Sequence, residues 1–193
     1  MARPREFDIE KALEDVIEVF WSRGYSGASI EDLVEGTGLA KGSIYKAFGD
    51  KHTLFLRALD RYIDARLALF EETLAQPGSP KAAIRQSLLD HMARATGSTR
   101  VRGCLVTKTT TEMASHDPEI ARHLSRMFER LETLFAQAIV RAKDAGEVDV
   151  SKDERAIARL LVLTTQGVRV MSHMRPHRHE LGAAIDVALS ALG

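Results

Sequence analysis

A single cysteine, Cys104, stands among the 193 residues. No disulfide framework can therefore form within the chain, and a lone thiol suits a reducing compartment. No apolar run approaches the ~20 residues that span a bilayer, and the polar N-terminus lacks the apolar stretch of a signal peptide. A cytoplasmic protein with no membrane partner is expected. Excess charge of either sign is also lacking, with Lys plus Arg at 27 and Asp plus Glu at 27. A neutral chain is poorly suited to sequence-independent nucleic-acid binding, which depends on many phosphate contacts. No segment reads as a strand, and no repeat or low-complexity tract is present. The chain has no nucleophile elbow, phosphate-binding loop or zinc-ligand spacing. It is therefore not read as an enzyme, and no cofactor or metal is assigned.

What is present is helical periodicity punctuated by caps. Asp8 opens a first helix over 9–23, with Ala12, Leu13, Val16, Ile17 and Phe20 at helical spacing. Ser29 with Asp32 reads as a capping box. Asp50 caps a long fourth helix over 51–75. Pro77-Gly78 breaks the chain, and Ser79-Pro80 restarts it as a cap followed by proline at the first helical position. Asp117-Pro118 does the same for the seventh helix. Ser151 with Glu154 is read as a second capping box, opening an eighth helix that runs to about 174, and a ninth covers 180–192. The fold class is all-α, with about nine helices. Residues 1–60 are expected to form one domain and 61–193 another, sharing the fourth helix.

Residues 24–55 carry the most information. Two short helical segments flank the turn Gly36-Thr37-Gly38. In the second segment, 39–48, the spacing turns Leu39, Ile44 and Phe48 inward and leaves Lys41, Gly42, Ser43, Tyr45 and Lys46 outward. Cations, hydroxyls and a residue with no side chain are what a helix needs in a major groove.

These residues, with Arg3-Pro4-Arg5, Phe20, Gly24-Tyr25, Ser29-Ile30, Leu33, Gly38, Phe48, Lys51 and Leu54-Phe55, resemble the DNA-binding domain of the TetR/AcrR family of bacterial transcriptional regulators. The resemblance covers nearly the first third of the chain. It implies a double-stranded DNA operator as partner, a homodimer formed through the last two helices, and an unidentified small-molecule effector. Lys41 is the first choice for a base edge, followed by Ser43 and Gly42. Tyr45, Lys46 and Lys51 are assigned to phosphates, as is Ser29 at the start of its helix. Arg3 and Arg5 are assigned to the adjacent minor groove. Ala40 departs from the family, where a Ser or Thr cap is common.

Gly103-Cys104-Leu105, followed by Glu112, resembles a pattern in the family's N-ethylmaleimide repressor branch, whose members include thiol sensors of electrophiles and oxidants. A cysteine at a helix N-terminus near Arg102 favours thiolate. His173 falls where that repressor carries a lysine. The competing reading of Cys104 is a small buried hydrophobe. Met92, Lys108, Met113, Phe128 and Met171 are candidates for lining an effector pocket. Dimer surface is sought among Leu160, Leu161, Leu163, Val168, Val170, Ile185, Val187, Ala188 and Leu189. The function read is a sequence-specific DNA-binding regulator, a repressor released by a ligand or by modification of Cys104. The alternatives are an activator, or a helical small-molecule-binding protein or enzyme with Cys104 as its reactive thiol.

Overall fold

In the computed structural model, residues 8–97, 103–174 and 177–193 are described, and among them every regular element is helical. Arg3, Arg5 and Arg102 lie outside the described residues.

The first helix, α1 (Ile9–Gly27), starts where Asp8 accepts from the N–H groups of Glu10 and Lys11. Its regular part stops at Arg23, because Gly24 adopts φ 75°, ψ 177°. One further turn follows, and this extends the helix beyond the expected end. Next comes α2 (Ile30–Thr37), whose capping box is present: the Ser29 side chain accepts from Asp32 N–H, and the Asp32 carboxylate accepts from the Ser29 backbone. α3 (Lys41–Phe48) begins two residues later than expected, and its N-cap Ala40 makes no side-chain hydrogen bond. α4 (Lys51–Leu74) is capped by Asp50, α5 (Pro80–Thr96) by Ser79, and α7 (Pro118–Asp144) by Asp117. Between the last two lies α6 (Leu105–Met113), with Cys104 in the N-cap position.

Two further expected helix starts differ. α8 (Glu154–Met171) is capped by Asp153, which accepts from Arg155 and Ala156 N–H. Ser151 belongs instead to the preceding turn, where its N–H donates to Asp149. A carboxylate directly before the helix reaches the free N–H groups that the more distant Ser151 would have to span to reach. α8 also stops earlier than expected and passes into a 3-10 turn over Ser172–Met174. α9 (Arg178–Leu189) begins earlier than expected, because Glu180 reaches back to accept from His177 N–H at 3.1 Å.

Two apolar centres share α4. Near its start, Phe20 meets Phe55 edge-on at 4.9 Å, with Leu33, Ile44, Phe48 and Leu54 buried around them. Near its end, Phe70 meets Phe135 at 5.7 Å among Ile84, Leu88, Leu131 and Leu161. Each such buried side chain contributes about 1.5–3 kcal/mol, so α4 is held rigidly by both halves. Among the described residues no helix is long and apolar enough to cross a membrane.

Candidate DNA interface and effector cavity

Burying Ile44 and Phe48 fixes the phase of α3. Lys41, Gly42, Tyr45 and Lys46 consequently face out, and Ser43 is half-buried beside them. A Cβ placed on Gly42 would meet nothing within 4 Å, so its approach surface is open. The five expected α3 residues are thus brought together on one face. Three of the residues expected at DNA are already engaged. Lys41 Nζ lies 3.5 Å from Glu31 Oε1, and Lys51 Nζ sits 4.4 Å from the centre of the Tyr25 ring. The Ser29 hydroxyl is committed to Asp32, to whose Oδ2 it donates at 2.7 Å. Ser29 can therefore meet a phosphate through free helix N–H groups, but its hydroxyl is taken.

Cys104 is buried at the start of α6, and the Tyr62 hydroxyl donates to its Sγ at 3.7 Å. Burial and the neighbouring thiol push the Tyr62 phenol up to about 12, so it stays a neutral donor. His173 Nδ1 donates to the Arg169 carbonyl at 2.9 Å. Its Nε2 lies against Gly103, where an added Cβ would come within 2.5 Å of it. His173 is thus brought to the residue preceding Cys104. Gly103 needs its missing side chain for that approach and for its own φ of 74°.

None of the expected pocket residues lines the enclosed cavity between α4 and α8. Met113 is core, and Met92 and Phe128 pack half-buried against it. Lys108 turns toward α1, where Nζ donates to the carbonyls of Trp21 at 3.0 Å and Ser22 at 3.2 Å. Met171 points outward at 46% exposure. The cause is the phase of α8. Leu161, Thr165, Val168, Arg169 and Ser172 share its buried face, while Leu160, Leu163, Val170 and Met171 share the outer one. Met174 in the following 3-10 turn and Val187 on α9 are exposed apolar side chains as well. Of the residues sought for a dimer surface, Leu161, Val168 and Ile185 are buried within the chain.

The enclosed cavity lies among α4, α5, α6, α7 and α8. Its walls include Arg66, Phe70, His91, Arg94, Cys104 and Arg169. Its free volume is about 20 Å³, room for about one water. The buried His91 donates Nε2–H to the Thr165 carbonyl at 3.1 Å. Burial first, then the charge of Arg169, press its pKa down to about 3, so the ring is neutral. Of these residues sequence reasoning singled out Cys104 and missed the arginines and His91. The available signal was Arg169 falling on the same helical face as Leu161, Thr165 and Val168.

A carboxylate also joins the two halves, beside the Lys108 contacts. Glu112 on α6 accepts from the backbone N–H groups of Tyr25 and Ser26, at the broken end of α1.

Comparison with known proteins agrees with this arrangement. Residues 13–58 match the bacterial regulatory proteins of the tetR family, and residues 79–188 match the tetracyclin repressor-like C-terminal domain. YezE of Bacillus subtilis (strain 168), an uncharacterized HTH-type transcriptional regulator, is 35% identical over 193 residues, spanning 100% of both chains. ComR of Escherichia coli (strain K12), an HTH-type transcriptional repressor, is 30% identical, covering 87% of this chain and 80% of the relative. A cysteine mutant of the regulator CifR, solved with 26bp double-strand operator DNA, superimposes with a TM-score of 0.87 at 30% identity, covering 99% and 100% of the two chains. The reduced form of E. coli NemR shares the fold at a TM-score of 0.82 and 18% identity, covering 93% of each.

Proposed function

The chain belongs to the TetR family of bacterial regulatory proteins and is a transcriptional regulator, and we propose that it acts as a homodimeric repressor released from a palindromic operator by an effector. The observation that carries this reading is the outward face of α3, where Lys41, Gly42, Ser43, Tyr45 and Lys46 stand together on a helix whose other side is buried. Lys41 reads a base edge, and giving up its exposed partner Glu31 costs little. Ser43 and Gly42 lie close to the bases. Tyr45, Lys46 and Lys51 hold phosphates together with the N–H groups behind Ser29, and Arg3 and Arg5 enter the adjacent minor groove. The operator complex of CifR, a relative of similar length, supports this use of the face.

Dimerisation uses Leu160, Leu163, Val170 and Val187, which are apolar and uncovered in the single chain. Two heads then read two half-sites. Residues 1–60 form the DNA-reading unit and 61–193 the effector and dimer unit. The effector acts either non-covalently in the cavity between α4 and α8 or by modification of Cys104, with His173 beside it. Both routes end on α4, which carries Arg66 and Phe70 in the effector half and Lys51 beside α3.

Selection of bound DNA from a genomic pool, with and without a thiol-reactive electrophile, tests the reading. One enriched palindrome is expected. No enrichment overturns the repressor reading. Enrichment that is indifferent to the electrophile assigns release to the non-covalent route.

A further inference from the structure

The wall of the enclosed cavity is unusual in its charge. Arg66, Arg94 and Arg169 all contribute to it, and among the described lining residues there is no carboxylate. Arg169 is only 6% exposed, and its Nε is a buried donor with no hydrogen-bond partner. A guanidinium taken from water and left with an unfilled N–H is costly. Arg94 feels the same crowding. Burial and the charges of Arg169 and Arg66 hold its guanidinium below the usual range, against the opposing pull of Asp90. Asp90 itself accepts from Gln86 Nε2 at 2.7 Å and is not part of the wall. His91 adds no charge, since it is neutral and its Nε2–H is spent on Thr165. Phe70, Met127 and Leu131 give the wall an apolar part, and Thr165 and Gln166 add neutral polar groups.

We propose that this cavity takes a small organic carboxylate, its oxygens on the Arg169 Nε side and its hydrocarbon body against Phe70 and Leu131. The proposal rests on the effector-regulated reading above and names the chemical class of the effector. A carboxylate fills the orphan Arg169 donor with a charge-assisted hydrogen bond and lowers the positive potential of the wall. A neutral ligand of the same shape does neither. The free volume of about 20 Å³ holds no organic acid, so occupancy has to part the walls. Arg66, stacked 4.7 Å from the centre of the Tyr62 ring, and Phe70 are both carried by α4. Opening the cavity therefore moves the helix that the DNA-reading half is packed on.

The test uses the full chain with hexanoate and benzoate, each beside its amide of equal shape, in calorimetric titration and thermal melting. The acids are expected to bind and raise the melting temperature, with the amides weaker by about tenfold or more, the loss expected for one charge-assisted hydrogen bond. Arg169→Gln should lower acid affinity by about the same factor and leave the amides unchanged. Equal binding of acids and amides, or an unaffected Arg169→Gln, overturns the proposal. If Arg169→Gln fails to fold by circular dichroism, the acid–amide comparison on the unaltered chain decides alone. The same samples are assayed for binding to DNA selected from the genome. DNA binding with no response to either acid removes the carboxylate proposal and leaves the regulator. Acid binding with no DNA selectivity does the reverse.

Discussion

Ser26, on the last turn of α1, donates its backbone N–H to Glu112 Oε1 of α6 at 2.7 Å, and Tyr25 N–H reaches the other oxygen at 3.2 Å. The break at Gly24 frees these N–H groups, and the carboxylate caps them from another helix. One turn earlier on α6, Lys108 holds the carbonyls of Trp21 and Ser22, just before the break. Trp21 Nε1 donates to the Gly103 carbonyl at 2.9 Å. Both sides of the break in α1 are therefore held by α6, whose first residue follows Cys104. A displacement of α6 has a direct polar route into the DNA-reading half.

Glu112→Gln should weaken this link. The amide keeps one acceptor oxygen and presents an NH₂ where an acceptor is needed, a loss of about 1–2 kcal/mol. Burial raises the carboxyl's pKa, but the hydrogen bonds from Ser26 and Tyr25 and the charge of Lys108 outweigh it and hold it below the ordinary value. A depressed pKa gives stability that is present above the unfolded value and lost as pH falls through the folded one. The melting-temperature gap between the two proteins should be full near neutrality and narrow as pH falls below the ordinary carboxylate range. A gap that is constant with pH would mean that shape, and not charge, is what Glu112 supplies.

His91 sets a second pH window. Its pKa is pressed from 6.5 to about 3 in the folded chain, so the unfolded chain binds a proton there first. Stability must then fall as pH drops from the unfolded value toward the folded one, by about 2 kcal/mol at pH 5. His91→Gln removes the titration, and its unfolding free energy should be flatter across that range. Parallel curves for the two proteins would show that the ring titrates normally.

Local signals made most of the fold legible. Asp8, the Ser29–Asp32 box, Asp50, Ser79-Pro80 and Asp117-Pro118 each cap the helix they were expected to cap, because a cap involves only three or four neighbouring residues. The face of α3 was legible for the same reason, since two buried residues fix the phase of a short helix. The cavity was not. Its arginines come from α4, α5 and α8, and singly each looks like an ordinary solvent-facing cation until packing turns it inward. Met113 is core and Met171 faces out, because methionine marks apolar positions but does not tell an inner face from an outer one.

Leu163→Lys tests the outer face of α8. Leu163 is 63% exposed, so the chain's own fold loses little when it is changed. If that face is the dimer surface, paired lysines there should convert dimer to monomer in sedimentation equilibrium, with little change in helicity. An undisturbed dimer would place the interface elsewhere.

Cys104→Ser separates the two release routes. The thiol is buried under Tyr62, so it should react with a disulfide reagent much more slowly in the native chain than in denaturant. The serine variant should keep its operator affinity and lose any response to electrophiles. A response that survives the change would leave the cavity as the point of action.

Ala40 and Lys41 divide stability from reading at the start of α3. Ala40 sits at φ −65°, ψ 143°, a capping conformation with no capping side chain. Ala40→Ser supplies an oxygen for the free N–H groups and should stabilise the chain by about 0.5–1 kcal/mol, read as a higher melting temperature. Lys41→Ala removes only an exposed ion pair with Glu31, so its melting curve should match that of the parent chain. Its effect belongs to DNA. If the lysine reads a base edge, the variant should lose preference at one base pair per half-site while keeping its affinity elsewhere. If it meets a phosphate, affinity should fall evenly for all sequences and the salt dependence should flatten by about one unit. The two outcomes separate in one binding series against operator variants at two salt concentrations, because base contacts change the ranking of sites and phosphate contacts change only its scale.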